Sequence, residues 1–524
     1  YYVSGRYNSE QGIVENNKSD KYQFKFNLTS ELTPWLHMTA DIIADHSDFT
    51  GSWFSTGPNP MFKALNYSPT MEMQDKNGKY NWDPYNNIEA NPMGEIRQAP
   101  SDSKANRMTG HVDLRFTILP GLTFTTTNGV DYFDGKTYSF GPTTVYRQSW
   151  ASNTDHSRLM LQTINNLTYT GKWDKHSLTA SAIFEATSSE TRMMNISGNN
   201  LPVESVGYWN INLAGSKSLR NDYSKRTLLS GIGRIIYNYA DRYILTGTFR
   251  ADGSSVFTNN KWGYFPSVAA AWNIANEGFM KDQSVFRQFK LRSSYGIVGS
   301  QALNPYETLG LLWEANTAFG TTSQQTGYYA GIFATPDLTW EKTLQWDLGV
   351  DFSVLDDRLS FSLDYYDKRT KDGLLRKHIP SYNGGGDYWV NDGEVHNKGF
   401  EASVSARLIQ NSDWNWTSTL NGTWLKNEVL SLGGERFIFG NTLWGGFVNE
   451  VSLVKVGEPL GLLYGYVWEG LDENGCNKFK DVNGNNKLDS EDRQIIGNSL
   501  PDFTLGWNNQ INWKNWELNL FFNG

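Results

Sequence analysis

The sequence predicts an all-β protein, specifically an antiparallel transmembrane β-barrel of about 17 strands. Apolar and polar residues alternate with a period of two over segments of roughly 9–13 residues, long enough to cross a bilayer as tilted strands. The connections between these segments alternate strictly between short polar turns and long loops. Aromatic residues are abundant (28 Phe, 27 Tyr and 20 Trp), whereas charged residues make up only 19% of the chain, below the roughly 25% usual in soluble domains.

The clearest strand pair covers residues 344–366. Leu348 and Phe352 share an apolar face of the first strand, and the intervening positions are Gln, Asp, Gly or Ser. Residues 359–366 repeat the pattern after the polar turn 356–358, which predicts an antiparallel hairpin with one apolar and one wet face. Comparable pairs are predicted at 22–30 with 35–46, 107–118 with 122–133, 158–169 with 177–188, 225–239 with 242–252, 263–275 with 288–299, 397–408 with 415–427 and 502–513 with 516–523, after an opening strand at 1–8.

The predicted connections are of two kinds, and all the long ones leave the sheet from the same end. This asymmetry is typical of outer-membrane barrels, which have short periplasmic turns and long extracellular loops. A soluble β-sandwich would show the same alternation of polar and apolar residues, so only strand length, turn asymmetry and aromatic placement separate the two classes. The predicted long loops are 47–106, 190–224, 300–340, 373–396 and 428–501, and residues 276–288 alone have a helical pattern.

Aromatic residues gather near the ends of the predicted strands, where a barrel meets the two membrane–water interfaces. The polar face carries Asp347, Asp351 and Glu401, which would be costly toward lipid but ordinary toward a water-filled lumen. The sequence therefore predicts interfacial aromatic belts on one face and a hydrated interior on the other. The aromatic residues expected in the belts include Trp35, Tyr132, Phe133, Trp262, Tyr264, Phe265, Trp340, Trp414, Trp416, Trp513 and Trp516.

Composition also excludes several classes of protein. The formal net charge of −9 argues against nucleic acid as a partner, because that affinity is carried mostly by clustered Lys and Arg. Cys476 is the one cysteine, which rules out an internal disulfide. The sequence has no run of 18 apolar residues that would make a membrane-spanning helix. It has no metalloprotease motif, nucleophile elbow or phosphate-binding glycine loop, so we do not expect an enzyme.

Residues 481–492, within the long loop 428–501, have the spacing of a calcium-binding loop. Oxygen donors fall at positions 1, 3, 5, 9 and 12, and position 7 would offer its main-chain carbonyl. Asn486 stands where such loops usually have glycine, and the last donor is Asp instead of Glu. A solvated Asn/Gly-rich turn without an ion is the alternative. The predicted donors of this structural Ca²⁺ site are Asp481, Asn483, Asn485, Lys487, Asp489 and Asp492.

Several tryptophans in the predicted long loops are candidates for ligand binding, since an exposed indole can stack on a sugar ring or grip a peptide. The alternative, of equal weight, is that they pack loops against each other or against a partner chain. The candidates are Trp53, Trp82, Trp313, Trp389 and Trp444.

Several segments in combination resemble the barrel of the SusC/RagA family of TonB-dependent outer-membrane transporters of Bacteroidota. The most specific are DRYILTGTFRADGSS at 241–255 and WGYFPSVAAAW at 262–272. The others are 291–299, 340–349, 364–370, 397–401 and, after the cation loop, 492–493, 496–499 and 501–506.

The resemblance implies a 22-stranded barrel in the outer membrane, of which residues 1–524 would be a part without the plug and the closing strands. It also implies TonB-dependent import of a nutrient, with oligosaccharide favoured over peptide. The implied partners are the TonB complex, acting through a region upstream, a SusD-like surface lipoprotein acting as a lid, and outer-membrane lipid. Two alternatives stay open: a secreted or surface glycan-binding β protein with structural calcium, and a passive porin.

Overall fold

The computed structural model describes residues 1–51, 59–83, 90–317, 325–440 and 450–524. The chain divides into two compact units, residues 1–167 with 183–229 and residues 168–182 with 230–524. Among the described residues, no helix is both long and apolar enough to span a bilayer.

The first unit contains an antiparallel run of five strands in sequence order, β1 to β5, with the two helices in the connection between β3 and β4. Each helix begins at an Asn-Pro pair. The amides of Asn59 and Asn91 accept main-chain N–H groups of the first turn, and proline supplies a preset φ. The elements are β1 (Tyr2–Gln11), β2 (Lys18–Thr33), β3 (Leu36–Gly51), α1 (Pro60–Asn66), α2 (Pro92–Gln98), β4 (Ser101–Leu119) and β5 (Leu122–Gly141), followed by a 3-10 segment at Glu204–Leu213.

Three strands carry the chain across the division between the units: β6 (Trp150–Trp173), β7 (His176–Asn199) and β8 (Ser216–Tyr239).

The second unit contains nine further long strands, also paired antiparallel to their neighbours. They are β9 (Tyr243–Ser254), β10 (Trp262–Asn273), β11 (Phe286–Ser300), β14 (Glu341–Val354), β15 (Leu359–His378), β16 (Asp387–Gln410), β17 (Trp414–Leu432), β24 (Phe503–Trp513) and β25 (Trp516–Asn523). Shorter strands lie within its connections: β12 (Leu311–Thr317), β13 (Gln325–Ile332), β18 (Phe437–Phe439), β19 (Ser452–Lys455), β20 (Leu462–Gly465), β21 (Trp468–Leu471), β22 (Asn477–Phe479) and β23 (Gln494–Asn498). With β1 to β8, the long strands described number seventeen, as the sequence predicts.

The apolar face of the strands in the second unit is the exposed face. Val268 is 56% exposed and Phe400 is 43% exposed, and Leu363 lies on the same face beside Val350 of β14. A soluble sandwich would bury this face against a second sheet. An exposed apolar face of this extent needs an apolar solvent, and the bilayer supplies one.

The opposite face of the same strands carries paired charges. Arg292 of β11 reaches across two strands, with its Nε 3.0 Å from Asp351 and its Nη1 2.6 Å from Asp364. A Cβ at Gly349 would overlap both the Arg292 guanidinium and the Asp364 carboxylate, so the absence of a side chain there keeps the crossing open. In the first unit the buried Asp131 is held by arginine in a similar way, at 2.6 Å from Arg107.

Aromatic side chains mark two levels on the apolar face of β17. Trp414 stacks on Trp513 at 5.4 Å at the short-turn end, and Trp424, ten residues further along the strand, is 53% exposed. Ten residues of strand correspond to about 33 Å, or roughly 25 Å once the strand is tilted, which matches the height of the apolar band of outer-membrane barrels. Trp340 and Phe265, expected in a belt, are instead 5% exposed and pack against each other.

Beyond the upper aromatic level, the outward face of β15 and β16 turns charged. Tyr365 pairs in register with Phe400, and on the next rows Asp367 meets His396 at 3.0 Å and Arg369 pairs with Glu394. This change marks the height at which the strands leave the apolar layer.

The long connections are shorter than predicted because the strands extend into them. The predicted loop 373–396 is mostly strand, and β15 and β16 are separated only by residues 379–386. The register shifts at Gly373 and Gly393, which breaks the period-two pattern in the sequence although the pairing continues. The alternation is also not strict, because residues 12–17 and 255–261 are short connections at the long-loop end. The predicted helical stretch 276–288 contains only a 3-10 turn at Gly278–Met280, just after another at Ile274–Asn276.

Candidate functional site

The predicted cation loop folds around the carboxylate of Asp481. This carboxylate accepts the main-chain N–H groups of Gly484 at 2.7 Å, Asn485 at 3.2 Å and Asn486 at 2.7 Å. Gly484 and Asn486 both have positive φ angles, 74° and 59°, the left-handed region that Gly and Asn adopt most easily. The loop therefore turns tightly around its first acidic residue.

The end of the loop is closed by a capping box. Asp489 caps the 3-10 turn Ser490–Asp492, and the Asp492 carboxylate accepts the N–H of Asp489 at 2.9 Å and the N–H of Val482 at 2.8 Å. Asp492 is buried. The hydrogen bond from the Asp489 main chain, supported by the one from Val482, lowers the pKa of Asp492, so the carboxylate form holds the two ends of the loop together.

The predicted donors are oxygen atoms, the ligand type that hard cations prefer. The side chains of Asn483, Asn485 and Asp489 each accept one main-chain N–H two residues on, and each such oxygen keeps a second lone pair. Carboxylate, amide and main-chain carbonyl oxygens are the ligands of calcium loops, and Lys487 lies in the turn between Asn485 and Asp489. Among the residues that the structure describes, no group of three or more His, Cys, Asp or Glu side chains could hold a metal; the predicted set here mixes carboxylates with amides.

The cation loop is anchored within the connection between β17 and β24. Arg493, the residue after the loop, has its Nη1 3.5 Å from the Glu450 carboxylate and its guanidinium 4.6 Å from the ring centroid of Tyr464. Tyr464 belongs to β20, which pairs with β19 and β23. Order in the loop is thereby linked to the small sheet β18-β19-β20-β23.

The candidate tryptophans fall in different environments, and Trp53 and Trp444 lie outside the described residues. Trp82, in the first unit, is 41% exposed, and the Arg147 guanidinium lies over its ring at 4.1 Å. Trp313, in the second unit, is also 41% exposed and meets Tyr329 edge-on at 5.9 Å across the β12–β13 hairpin. Trp82 and Trp313 thus both have exposed indole surface, and a neighbouring side chain packs against each ring.

Trp389 does not lie in a loop as predicted but near the start of β16. It is half-buried, and its Nε1 is buried without a hydrogen-bond partner among the described residues. The start of β16 also receives β13, through the N–H of Phe333 donating to the carbonyl of Asp387 at 2.7 Å. Trp389 therefore belongs to a strand, and its indole N–H is not exposed to a ligand.

Sequence reasoning missed a polar cluster between the two helices of the first unit. Glu95 of α2 is 7% exposed, pairs with Lys63 of α1 and accepts the hydroxyl of Tyr146 at 2.9 Å. Burial raises the pKa of Glu95 against the opposing effect of Lys63, and burial together with Glu95 raises the pKa of Tyr146. The paired Asn-Pro signals could have located the helices, but nothing in the sequence pairs these side chains.

In the second unit, the turn between β9 and β10 is packed like a core. Phe257 is fully buried and lies 5.3 Å from the ring of Trp340. The buried hydroxyl of Thr308 donates to the carbonyl of Val256 at 2.9 Å, and the indole of Trp340 donates to the carbonyl of Lys261 at 3.0 Å. The turn thus ties the connection 301–340 to the face of the sheet opposite the exposed aromatics.

Comparison with known proteins agrees with this geometry. Residues 2–524 match the family model described as TonB dependent receptor-like, beta-barrel. TonB-dependent receptor P3 of Formosa agariphila is 30% identical over 551 aligned residues, covering 100% of this chain and 55% of that protein. TonB-dependent receptor SusC of Bacteroides thetaiotaomicron is 34% identical over 308 residues, covering 56% of this chain and 31% of SusC. The RagAB peptide transporter structure shares the fold, with a TM-score of 0.83 at 21% identity over 100% of this chain and 59% of that chain.

The antiparallel strands expose their apolar face instead of burying it, as an outer-membrane β-barrel does. Together with the similarities above, this defines a barrel of the SusC/RagA type. The chain belongs to the TonB-dependent receptor β-barrel family. This is a family of receptors and transporters, and the secreted alternative is inconsistent with its place in the outer membrane. The chain spans about half the length of Formosa relatives such as P3, at 55% of that protein.

Proposed function

We propose that the full-length protein containing this chain imports an oligosaccharide across the outer membrane, driven by the TonB complex. The observation that carries the proposal is the pairing of an exposed apolar face with an opposite face of charged and hydrogen-bonded side chains, in a chain of the TonB-dependent receptor family. A polar inner wall suits passage of a hydrated solute, whereas it would not suit a packed core.

Supported indole rings favour a sugar over a peptide as the imported ligand. The ring of Trp82 is held by Arg147 on one side, and that of Trp313 is braced by Tyr329. A rigid aromatic surface with polar groups at its edge suits the C–H faces and hydroxyls of a pyranose. A SusD-like surface lipoprotein would close over the long-loop end of the strands, where these residues lie.

Growth on defined nutrients tests this function. A strain lacking the full-length gene is expected to lose growth on one class of oligosaccharide, and inactivating TonB should have the same effect. Trp82→Ala in the purified receptor is expected to weaken binding of that oligosaccharide about tenfold, since losing a stacked ring costs on the order of 1 kcal/mol. Trp35→Ala, near a short turn, serves as the control and should bind normally.

Two outcomes would contradict the proposal. Growth that persists without TonB would indicate a passive porin, and a defect confined to peptides of equal size would indicate a peptide importer.

We further propose that residues 481–492 bind a structural Ca²⁺ ion, which would order the connection 428–501 on the extracellular side and support the lid. The support is the spacing of the side-chain oxygens, together with the main-chain hydrogen bonds that hold them within one tight turn. Such an ion would perform no chemistry, and its effect would be to fix the position of the loop.

Replacing Asp481 and Asp492 together with Ala is expected to abolish calcium binding by calorimetry and to increase hydrogen exchange across 472–500, with β24 and β25 unchanged. Affinity for the SusD-like partner should fall in parallel. Because the pKa of Asp492 is lowered, its stabilisation is present above the ordinary aspartate pKa of about 3.9 and is lost as the pH falls through the lowered value. Exchange at 481–492 should therefore rise in strong acid in the native chain.

Asp472→Ala provides a matched control, because Asp472 also accepts main-chain N–H groups in a turn, at 2.9 Å from Asn474 and 2.8 Å from Cys476. This variant should bind calcium normally. Equal lid affinity with and without a calcium chelator would count against the proposed role.

A further inference from the structure

The apolar face of the first unit carries a groove across β1 to β5, with a volume of about 670 Å³. Gly5 and Ala44 are its small residues, and a Cβ at Gly5 would meet no atom within 4 Å. Larger side chains rise beside them: Phe24 is 48% exposed, Met108 43% and Tyr132 41%. The groove is therefore a mainly apolar depression open to the surrounding lipid, with room for an acyl chain, and the pair His46 and Asn106 forms its polar end.

Directly above the groove, on the same face, two lysines oppose each other across β4 and β5. Lys104 and Lys136 are register partners two rows beyond the pair Met108 and Tyr132, with no register shift between them. Both are exposed, and neither forms an ion pair with a described residue, although Asp134 lies on the same face and Asp48 of β3 is the register partner of Lys104 on its other side. Like charges directly opposite in a sheet are unfavourable, so an anion between the two ammonium groups would relieve the repulsion.

The next row of the same face holds a stack of three aromatic rings. Tyr138 lies 5.4 Å from Tyr208 and 6.0 Å from Trp209, with interplanar angles of 28° and 27°. Trp209 is 79% exposed, an unusual exposure for a ring held in a stack. Its broad face is available to a ligand.

The chain holds this stack rigidly. Gly207 adopts a φ of 52° inside the segment Glu204–Leu213, a conformation that favours glycine. The carbonyl of Tyr208 accepts the side-chain N–H of Asn153 at 3.1 Å, and its hydroxyl donates to Asp102 at 2.8 Å. The rings are thus fixed in place beside a carboxylate that can accept further hydroxyl groups.

We propose that β1 to β5 and the segment 204–213 form a binding site for a glycolipid of the outer leaflet. The groove would hold an acyl chain, Lys104 and Lys136 a phosphate on the sugar head, and Trp209 with Tyr138 the face of a sugar ring. Tyr132 and Tyr138 are six residues apart on one face, about 20 Å along the strand. Apolar, cationic and sugar-stacking chemistry follow one another in the order in which a phosphorylated glycolipid presents its parts from the membrane outward.

Binding of purified deep-rough lipooligosaccharide to the full-length receptor in detergent tests the site. Ala44→Phe, which fills the groove, and Trp209→Ala, which removes the exposed ring, are each expected to weaken binding about tenfold or more, a change of the size a lost anchor residue produces. Val112→Phe also places a phenyl ring on this face of the sheet, on β4 outside the groove, and should leave the affinity unchanged. Thermal melting in each case shows that the variant is folded.

Three results would overturn the proposal. The first is equal affinity of Ala44→Phe, Trp209→Ala and Val112→Phe for the lipooligosaccharide. The second is full competition by the delipidated core oligosaccharide, which would indicate a site for free glycans, and the third is equal binding of phosphatidylglycerol vesicles, which would indicate an unspecific lipid surface. Loss of binding in the Lys104→Gln/Lys136→Gln double variant for lipooligosaccharide, but not for its dephosphorylated form, is the expected sign that the lysines contact phosphate.

Discussion

Replacing Leu363 with Arg is expected to prevent stable insertion of the protein into the outer membrane. Leu363 lies on the apolar face, paired in register with Val350 and Ala402, two residues from the aromatic level at Tyr365 and five from the short turn at 355–358. An arginine on the lipid face costs up to about 2–4 kcal/mol, the value at the bilayer midplane, and even part of this is a sizeable fraction of the stability of a folded domain. The measurement is the fraction of heat-modifiable, protease-resistant protein in outer-membrane preparations.

Ser403→Arg is the matched control. Ser403 sits on the neighbouring strand at the same depth, in register with Ser362, but on the polar face. Here the guanidinium faces water and nearby carboxylates, so we expect normal insertion. If both variants inserted equally well, the assignment of the two faces to lipid and lumen would be wrong.

Truncation of Phe257 to Ala is expected to cause the second large effect. Phe257 is fully buried against Trp340, and removing a buried phenyl ring from a packed site costs about 3–5 kcal/mol. The loss should be local, because the long strands beside this turn keep their ladders. Hydrogen exchange should accelerate in 255–261 and 301–340, while the heat-modified band on a gel stays unchanged.

Phe249→Ala controls for the loss of an aromatic ring in the same strand pair. Phe249 is 51% exposed on the lipid-facing side, so its truncation leaves no cavity. Protection of 301–340 should survive this change. Protection that survived Phe257→Ala as well would show that the turn does not hold the long connection in place.

The long strands could be predicted from the sequence because a strand with one apolar and one polar face has polar and apolar residues that alternate with a period of two. The hairpin formed by β14 and β15 is the clearest case, since Val350, Phe352, Phe361 and Leu363 share one face. The prediction failed where register shifts interrupt the period, as at Gly373 and Gly393. A bulge changes which side chains share a face without ending the pairing.

The direction in which an aromatic residue points was less predictable. Trp340 and Trp414 both stand at strand ends, yet one is buried under Phe257 and the other stacks on Trp513 in a belt. Both residues stand at the start of a strand, but Trp340 lies at the long-loop end and Trp414 at the short-turn end. The packing of the neighbouring connection buries only Trp340. The prediction of the cation loop depended on the spacing of its residues alone. Asn486, at the position where such loops usually have glycine, has a positive φ angle as a glycine there would.

The Glu95 cluster could not be predicted, because its residues are brought together only by the packing of two short helices.

The charged rows on β15 and β16 above Tyr365 and Phe400 have a practical consequence for surface display. The sequence predicts a loop at 373–396, but this region is a pair of hydrogen-bonded strands that extends beyond the lipid. A peptide epitope inserted near residue 370 or 395 would therefore interrupt the pairing of β15 and β16. Residues 379–386 are the break between the two strands. An epitope inserted there should be presented to antibodies on intact cells while the strands beneath it stay paired.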